Sequence, residues 1–261
     1  MIWGIRMKRI ILVLLCCSIL GAITSCNERN DIESNNIDTL QSIYDSDPTL
    51  SNNQTVLISD EIYQDIINIY RELLLLKKNN INFDEIFLEQ YAKDNKIESA
   101  VFHAVLRNHP EKMGYALKDL NNDTIEELVL LDENYHIYTI FTIVNGQPTV
   151  VNDLFFGDGN DTGAIGSDGT IYKHGYGKGE TVYAYAMKIS SNGSLIGLKF
   201  GCVDVDIDDT TVEYYKEING ERLVIDYNEF QFLNEEYYRI VDNPTELTKK
   251  SGINFLQIEL D

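Results

Sequence analysis

The sequence predicts an α+β fold in which N-terminal helices pack on an antiparallel β-meander, with one further helix near the C-terminus. Three observations carry this expectation. Apolar residues recur at helical spacing from Ile62 to about Arg107 and at alternating spacing after Glu111. Asn-Gly pairs at Asn145-Gly146, Asn192-Gly193 and Asn219-Gly220 punctuate the alternating part, and such pairs close antiparallel hairpins because both positions tolerate positive φ. Helices precede strands instead of interleaving with them, which argues against a parallel sheet.

The first helix starts at Ser59 as cap, with Asp60 and Glu61 at the positive end of the dipole and Ile62, Ile66, Ile69, Tyr70 and Leu73 as its stripe. Lys77 and Lys78 suit its end. Asn82 with Glu85 resembles a capping box opening a second helix to about Tyr91, and a third runs from Ile97 to Arg107, ahead of Pro110. Strands are then expected around Met113–Leu117, Glu127–Leu130, Ile137–Val144, Thr170–Lys173, Thr181–Ile189, Ser194–Ile207, Thr211–Lys216 and Arg222–Tyr227. A last helix spans Glu229 to Ile240 with Asn228 as cap. Pro244 precedes a short helical piece, and Ile253, Phe255 and Leu256 suggest a closing strand.

At the N-terminus, Arg6, Lys8 and Arg9 precede an apolar run from Ile10 to Leu20, followed by small residues, the layout of a secretory signal. That run is too short to span a bilayer, which takes about 20 apolar residues. Ile23-Thr24-Ser25-Cys26 resembles the lipobox of bacterial lipoproteins. The resemblance implies that Cys26 receives a diacylglyceryl group, that the chain is cut just before it, and that the mature protein sits on the extracytoplasmic side of the cell membrane; Met7 is an alternative start. An ordinary secretory signal ending near a Cys is the other reading. The expected organisation is a signal peptide over 1–25, a flexible acidic tether over 26–54 and a single α+β domain over 55–261. The tether is polar and poor in aromatics, so it cannot bury enough surface to order itself. Ile37, Leu40, Ile43 and Tyr44 also fit a short transient helix.

Charge excludes some partners. The chain carries 21 Lys and Arg against 42 Asp and Glu, a net charge of −21, and loss of Met1–Ser25 would leave 18 against 42, or −24. Such a field repels nucleic acid and anionic surfaces and attracts cations. Beyond the signal only Cys26 and Cys202 remain, and with the first lipidated no internal disulfide is possible.

Catalytic and metal signatures are sparse. His103, His109, His136 and His174 lack metal-ligand spacing with one another or with Cys202, and read as structural. Gly175 to Gly179 is glycine-rich without the phosphate-loop pattern, so it is expected to be a hairpin loop. The run Gly157 to Gly163 is a secondary cation candidate. Asp204, Asp206 and Asp208 alternate on one strand face, solvated by default. No nucleophile elbow is present, so no enzyme is predicted.

The strongest site signal is Asp119-Leu120-Asn121-Asn122-Asp123-Thr124-Ile125-Glu126-Glu127. Oxygen side chains at relative positions 1, 3, 5 and 9, with the carbonyl of position 7, can converge on one hard cation. The segment resembles the Asp-x-Asp-x-Asp loops of dockerins, thrombospondin type 3 repeats and integrin-like propeller modules. It is also similar to uncharacterised Firmicutes lipoproteins in which a Tyr-Ala-Leu-x-Asp strand enters such a loop and a Glu-Leu-hydrophobic strand leaves it, here Tyr115–Asp119 and Glu127–Leu130. The resemblance implies side-chain ligation of Ca²⁺ by Asp119, Asn121, Asp123 and Glu127 and a carbonyl from Ile125. Asn121 replaces an Asp, Thr124 replaces the usual turn Gly, and Leu130 stands where an EF-hand has its final Glu, so the site is expected to be weak and is not an EF-hand. A metal-free polar turn is the alternative. The expectation for the whole chain is a lipid-anchored envelope protein of binding or structural role. A carbohydrate or peptide surface built on tyrosines such as Tyr183, Tyr185, Tyr214 and Tyr215 is the next reading, and an envelope-polymer hydrolase the third.

Overall fold

The computed structural model describes residues 59–79, 90–91, 105, 109–151, 162–177, 180–204 and 212–260, all within one compact unit, Leu50–Asp261. The signal sequence, Cys26, the tether, the helix opened by Asn82 apart from Gln90 and Tyr91, all of Ile97–Arg107 but Val105, Gly157–Asp161, Asp206 and Asp208 lie outside the described residues. The described part is α+β, built on two antiparallel sheets.

Helix α1 spans Ser59–Lys78. Its buried stripe is Tyr63, Ile67, Tyr70 and Leu74, with Leu73 beside it, while Ile66 and Ile69 are only partly buried. The stripe is thus rotated by about one residue from the expected one. The helix is apolar over a wide arc, and Tyr63, whose hydroxyl donates to the Phe141 carbonyl at 3.2 Å, sets which part of the arc faces inward.

The first sheet contains β1 (Met113–Lys118), β2 (Glu127–Asp132), β3 (Ile137–Val144), β4 (Gln147–Val150) and β11 (Leu256–Gln257), in the order β11-β1-β2-β3-β4. The second contains β5 (Thr162–Ile165), β6 (Ile171–Gly177), β7 (Glu180–Ile189), β8 (Leu195–Asp204), β9 (Val212–Ile218) and β10 (Glu221–Ile225), in strict sequence order. The expected single meander is therefore two meanders. Two Asn-Gly turns hold, with Asn145 and Gly146 at φ of 53° and 76° and Asn219 and Gly220 at 51° and 87°; at Asn192-Gly193 the chain also turns, but only Gly193 has positive φ, 79°, and the turn is closed from Ser190 to Ser194 at 2.8 Å.

Every residue of β2 is buried. Leu128 and Leu130 face α1 together with Met113 and Phe141, whereas Val129 and Leu131 face Ile165, Ile171 and Ile189 of the second sheet. A strand covered on both sides reads as a continuous apolar run, which is what Leu128-Val129-Leu130-Leu131 is. Each such side chain contributes about 1.5–3 kcal/mol of transfer free energy. A register shift opposite Leu130 and Leu131 breaks the alternation of β3, sending Ile137 toward the second sheet and Tyr138 toward α1.

Helix α2, Tyr227–Ile240, lies on the other face of the second sheet, with Tyr237 against Phe200 and Tyr172 and Phe230 against Tyr214. Its cap is Asp226, not Asn228, because the Asp226 carboxylate accepts the amide of Glu229 at 2.9 Å. Helix α3, Pro244–Lys250, is capped by Asn243. The closing strand is confined to β11, which pairs Gln257 with Gly114 and Leu256 with Tyr115.

Candidate functional site

The turn from β1 to β2 is the 119–127 loop. Asp119 stands at the end of β1 and folds the chain over its own carboxylate: Oδ1 accepts the Asp123 amide at 3.2 Å and Oδ2 the Thr124 amide at 3.0 Å. Asn121 Oδ1 accepts the same Asp123 amide at 3.0 Å. Asp123 Oδ1 accepts the Ile125 amide at 2.8 Å, and its Oδ2 accepts from Asn121 Nδ2 at 3.0 Å. These bonds need Asn122 and Thr124 at φ of 61° and 74°. Asn tolerates that region; a β-branched residue is strained there.

Glu127, expected as the fourth side-chain ligand, sits beneath the loop, 1% exposed. Its Oε2 accepts the Leu120 amide at 2.7 Å and its Oε1 accepts from Thr142 Oγ1 at 3.0 Å. Burial pushes its pKa up to about 7, against the two hydrogen bonds that favour the ionised form, and the charges of Asp123 and Asp119 add to the rise. On the other side of the loop, Gly169 in the β5–β6 turn, at φ 80°, lies so close that a Cβ there would stand 1.9 Å from the Leu120 carbonyl oxygen. The loop is therefore fastened to both sheets. Asp119, Asn121 and Asp123 come together with the Ile125 backbone, while Glu127 is held by neighbours in the fold. Among the described residues no three His, Cys, Asp or Glu side chains gather as a metal-holding group, and the side-chain oxygens of Asp119, Asn121 and Asp123 all accept hydrogen bonds from within the loop.

No protein-family model, no curated protein and no solved structure matches the chain. The site must be judged on its own chemistry. Two carboxylates and one amide oxygen on one short loop are an all-oxygen set of the kind hard cations take.

A second cluster was missed from the sequence. Asp132 closes the turn from β2 to β3: Oδ1 accepts the amides of Asn134 and His136 at 2.8 and 3.0 Å, and Oδ2 meets His136 Nδ1 at 2.9 Å and the Tyr138 hydroxyl at 3.1 Å. Burial alone would raise the Asp132 pKa, but the hydrogen bonds from His136 outweigh it and hold the carboxyl below its usual value. Hydrogen bonding to Asp132 raises the His136 pKa in turn. Asp-x-Asn-x-His across a turn is the mark this cluster leaves in the sequence. A cleft of about 440 Å³ opens beside this pair, lined among the described residues by His136, Tyr138, Thr162, Asn243 and Thr245, with no carboxylate among them.

Tyr183, Tyr185, Tyr214 and Tyr215 form no coplanar exposed row. Tyr183 and Tyr215 are buried, Tyr183 and Tyr185 meet edge-on at 86°, and Tyr214 packs on the opposite face against Phe230. Lys173, Lys199 and Arg222 stand over Tyr183, Tyr185 and Tyr215 instead. His109 is exposed near Glu111, and Cys202 is a buried free thiol. Asp204 ends β8 opposite Val212, and no helix among the described residues is long and apolar enough to cross a membrane.

Proposed function

We propose that the chain is a lipid-anchored extracytoplasmic protein whose folded part is a binding or structural module, N-terminal helices packed on its sheets, with a low-affinity Ca²⁺ site in the 119–125 loop. The anchor rests on Cys26 in its lipobox-like setting. The observation that carries the calcium reading is the clustering of Asp119, Asn121 and Asp123 on a loop already folded by its own hydrogen bonds. Carboxylates held together without a cation repel, so an ion that binds the folded loop stabilises it by mass action. With two carboxylates and no bidentate Glu the affinity falls in the range of extracellular modules, about 10⁻⁴–10⁻³ M.

The test uses the full chain in detergent. Millimolar Ca²⁺ at fixed ionic strength raises the melting temperature, Mg²⁺ raises it less, Asp119→Ala loses the Ca²⁺-specific gain and Asp242→Ala keeps it. Equal responses from wild type and Asp119→Ala would reduce the loop to a turn. For the anchor, Cys26→Ser leaves the protein unprocessed or released from membranes; an unmodified Cys26 at the mature N-terminus in mass spectrometry sinks that part.

A further inference from the structure

We propose that β10, the outer strand of the second sheet, is a docking edge that takes an extended, cationic and apolar segment of another protein as an added strand. Among the described residues β10 pairs only with β9. Four of its five residues are exposed, including Leu223 at 50% and Val224 at 68%. The strand has no proline and no bulge, two of the devices that blunt an open edge.

The hairpin geometry shows which backbone groups are on offer. A two-residue turn at Asn219-Gly220 closes on a hydrogen-bonded pair, here Ile218 with Glu221, so Glu221, Leu223 and Ile225 direct their amides and carbonyls at β9. Arg222 and Val224 turn theirs outward. An added strand would hydrogen-bond to those two residues and cover Leu223 on one face and Val224 on the other, and the exposed Tyr227 and Val212 extend the apolar surface at its end.

Charge selects the occupant. Both cations of the β9–β10 hairpin are engaged, Lys216 with Glu229 at 2.6 Å and Arg222 with Glu213 at 3.7 Å. Arg222 also lies 3.7 Å from the centre of the Tyr215 ring. The side chains of Glu217 and Glu221 have no ion pair or hydrogen bond among the described residues, and the exposed Asp226 follows the strand. A second copy of a chain of net charge −21 would bring like charges together, whereas a basic strand meets opposite ones.

The proposal names a surface for the binding-module reading and rests on it for its biological sense, but it needs neither calcium nor lipid. Binding is therefore measured in EDTA, by fluorescence anisotropy, on the full chain in detergent. The probes are a short peptide of alternating Lys and Val, its Glu-Val counterpart, and the Lys-Val peptide N-methylated at alternate residues. The Lys-Val peptide binds and weakens as salt rises. N-methylation, which keeps side chains but removes donors, weakens binding by about tenfold or more. Val224→Pro, which removes an outward donor while sparing the β9 ladder, does the same, and Val224→Ala does not. Should Val224→Pro fail to fold, the N-methyl comparison on the unaltered chain decides alone. Equal binding of the Glu-Val or N-methylated peptide overturns the proposal, as does sedimentation of the chain as a dimer that Val224→Pro dissociates.

Discussion

Glu127 holds Leu120: a buried carboxylate on β2 accepts, at 2.7 Å, the backbone amide one residue into the loop above it. Its pKa rises from 4.5 to about 7 in the folded protein, so the folded state binds the extra proton and stability falls as pH climbs from about 4.5 to about 7. The cost is then on the order of 3 kcal/mol at neutral pH. Glu127→Gln can still accept from Leu120 and donate to Thr142. Denaturant unfolding in EDTA will show a flatter pH profile for that variant and greater stability than wild type at pH 8; parallel profiles would sink the assignment.

Thr124 is held at φ 74°, where a β-branched side chain is strained. Thr124→Gly relieves that strain, and the variant gains about 1 kcal/mol in thermal unfolding. A loss would mean that the Thr124 side chain is itself needed.

Tyr70 is fully buried and its hydroxyl has no hydrogen-bond partner among the described residues. Tyr70→Phe removes an unpaired polar atom from the core between α1 and the first sheet and stabilises by about 1–2 kcal/mol. Destabilisation in urea titrations would reveal a partner for that oxygen.

Asp132 gathers four donors from Asn134, His136 and Tyr138. Asp132→Asn costs about 2–4 kcal/mol, because an amide cannot accept all of them. The lowered Asp132 pKa contributes stability above about 4 that is lost as pH falls through its folded value. The raised His136 pKa contributes stability below about 6.5 that is lost as pH rises through its folded value. The gap between wild type and Asp132→Asn should therefore peak between those limits, and a gap unchanged by pH would refute the pairing.

Gly169 cannot accept a side chain: the Leu120 carbonyl would lie 1.9 Å from its Cβ, at φ 80°. Gly169→Ala costs about 2 kcal/mol or more. It also weakens any Ca²⁺ effect on the melting temperature, although it lies fifty residues from Asp119 in sequence; an unchanged Ca²⁺ response with lowered stability would separate the two.

Local features were legible and long-range ones were not. The turns at Asn145-Gly146 and Asn219-Gly220 could be read because positive φ is a property of those residues alone. The cap of α2 was misplaced by two residues because Asp226 and Asn228 carry the same kind of cap, and only the bond to Glu229 separates them. The division into two sheets left no local mark: β4 and β5 were not expected as strands, since Pro148 and Gly163 weaken their strand character, and their separation lies in which neighbours they choose. For the 119–127 loop the sequence showed which oxygens could meet but not that Glu127 would be claimed by Leu120 and Thr142, a bond across strands.

The contact of Gly169 with Leu120 is main chain against main chain, so the join between the two sheets at that point carries no side-chain information. Side chains elsewhere in the core can drift in size, each exchange compensated by a neighbour. This seam has no such slack, and any lineage that keeps the loop in its present place must keep position 169 without a side chain, whatever else it changes.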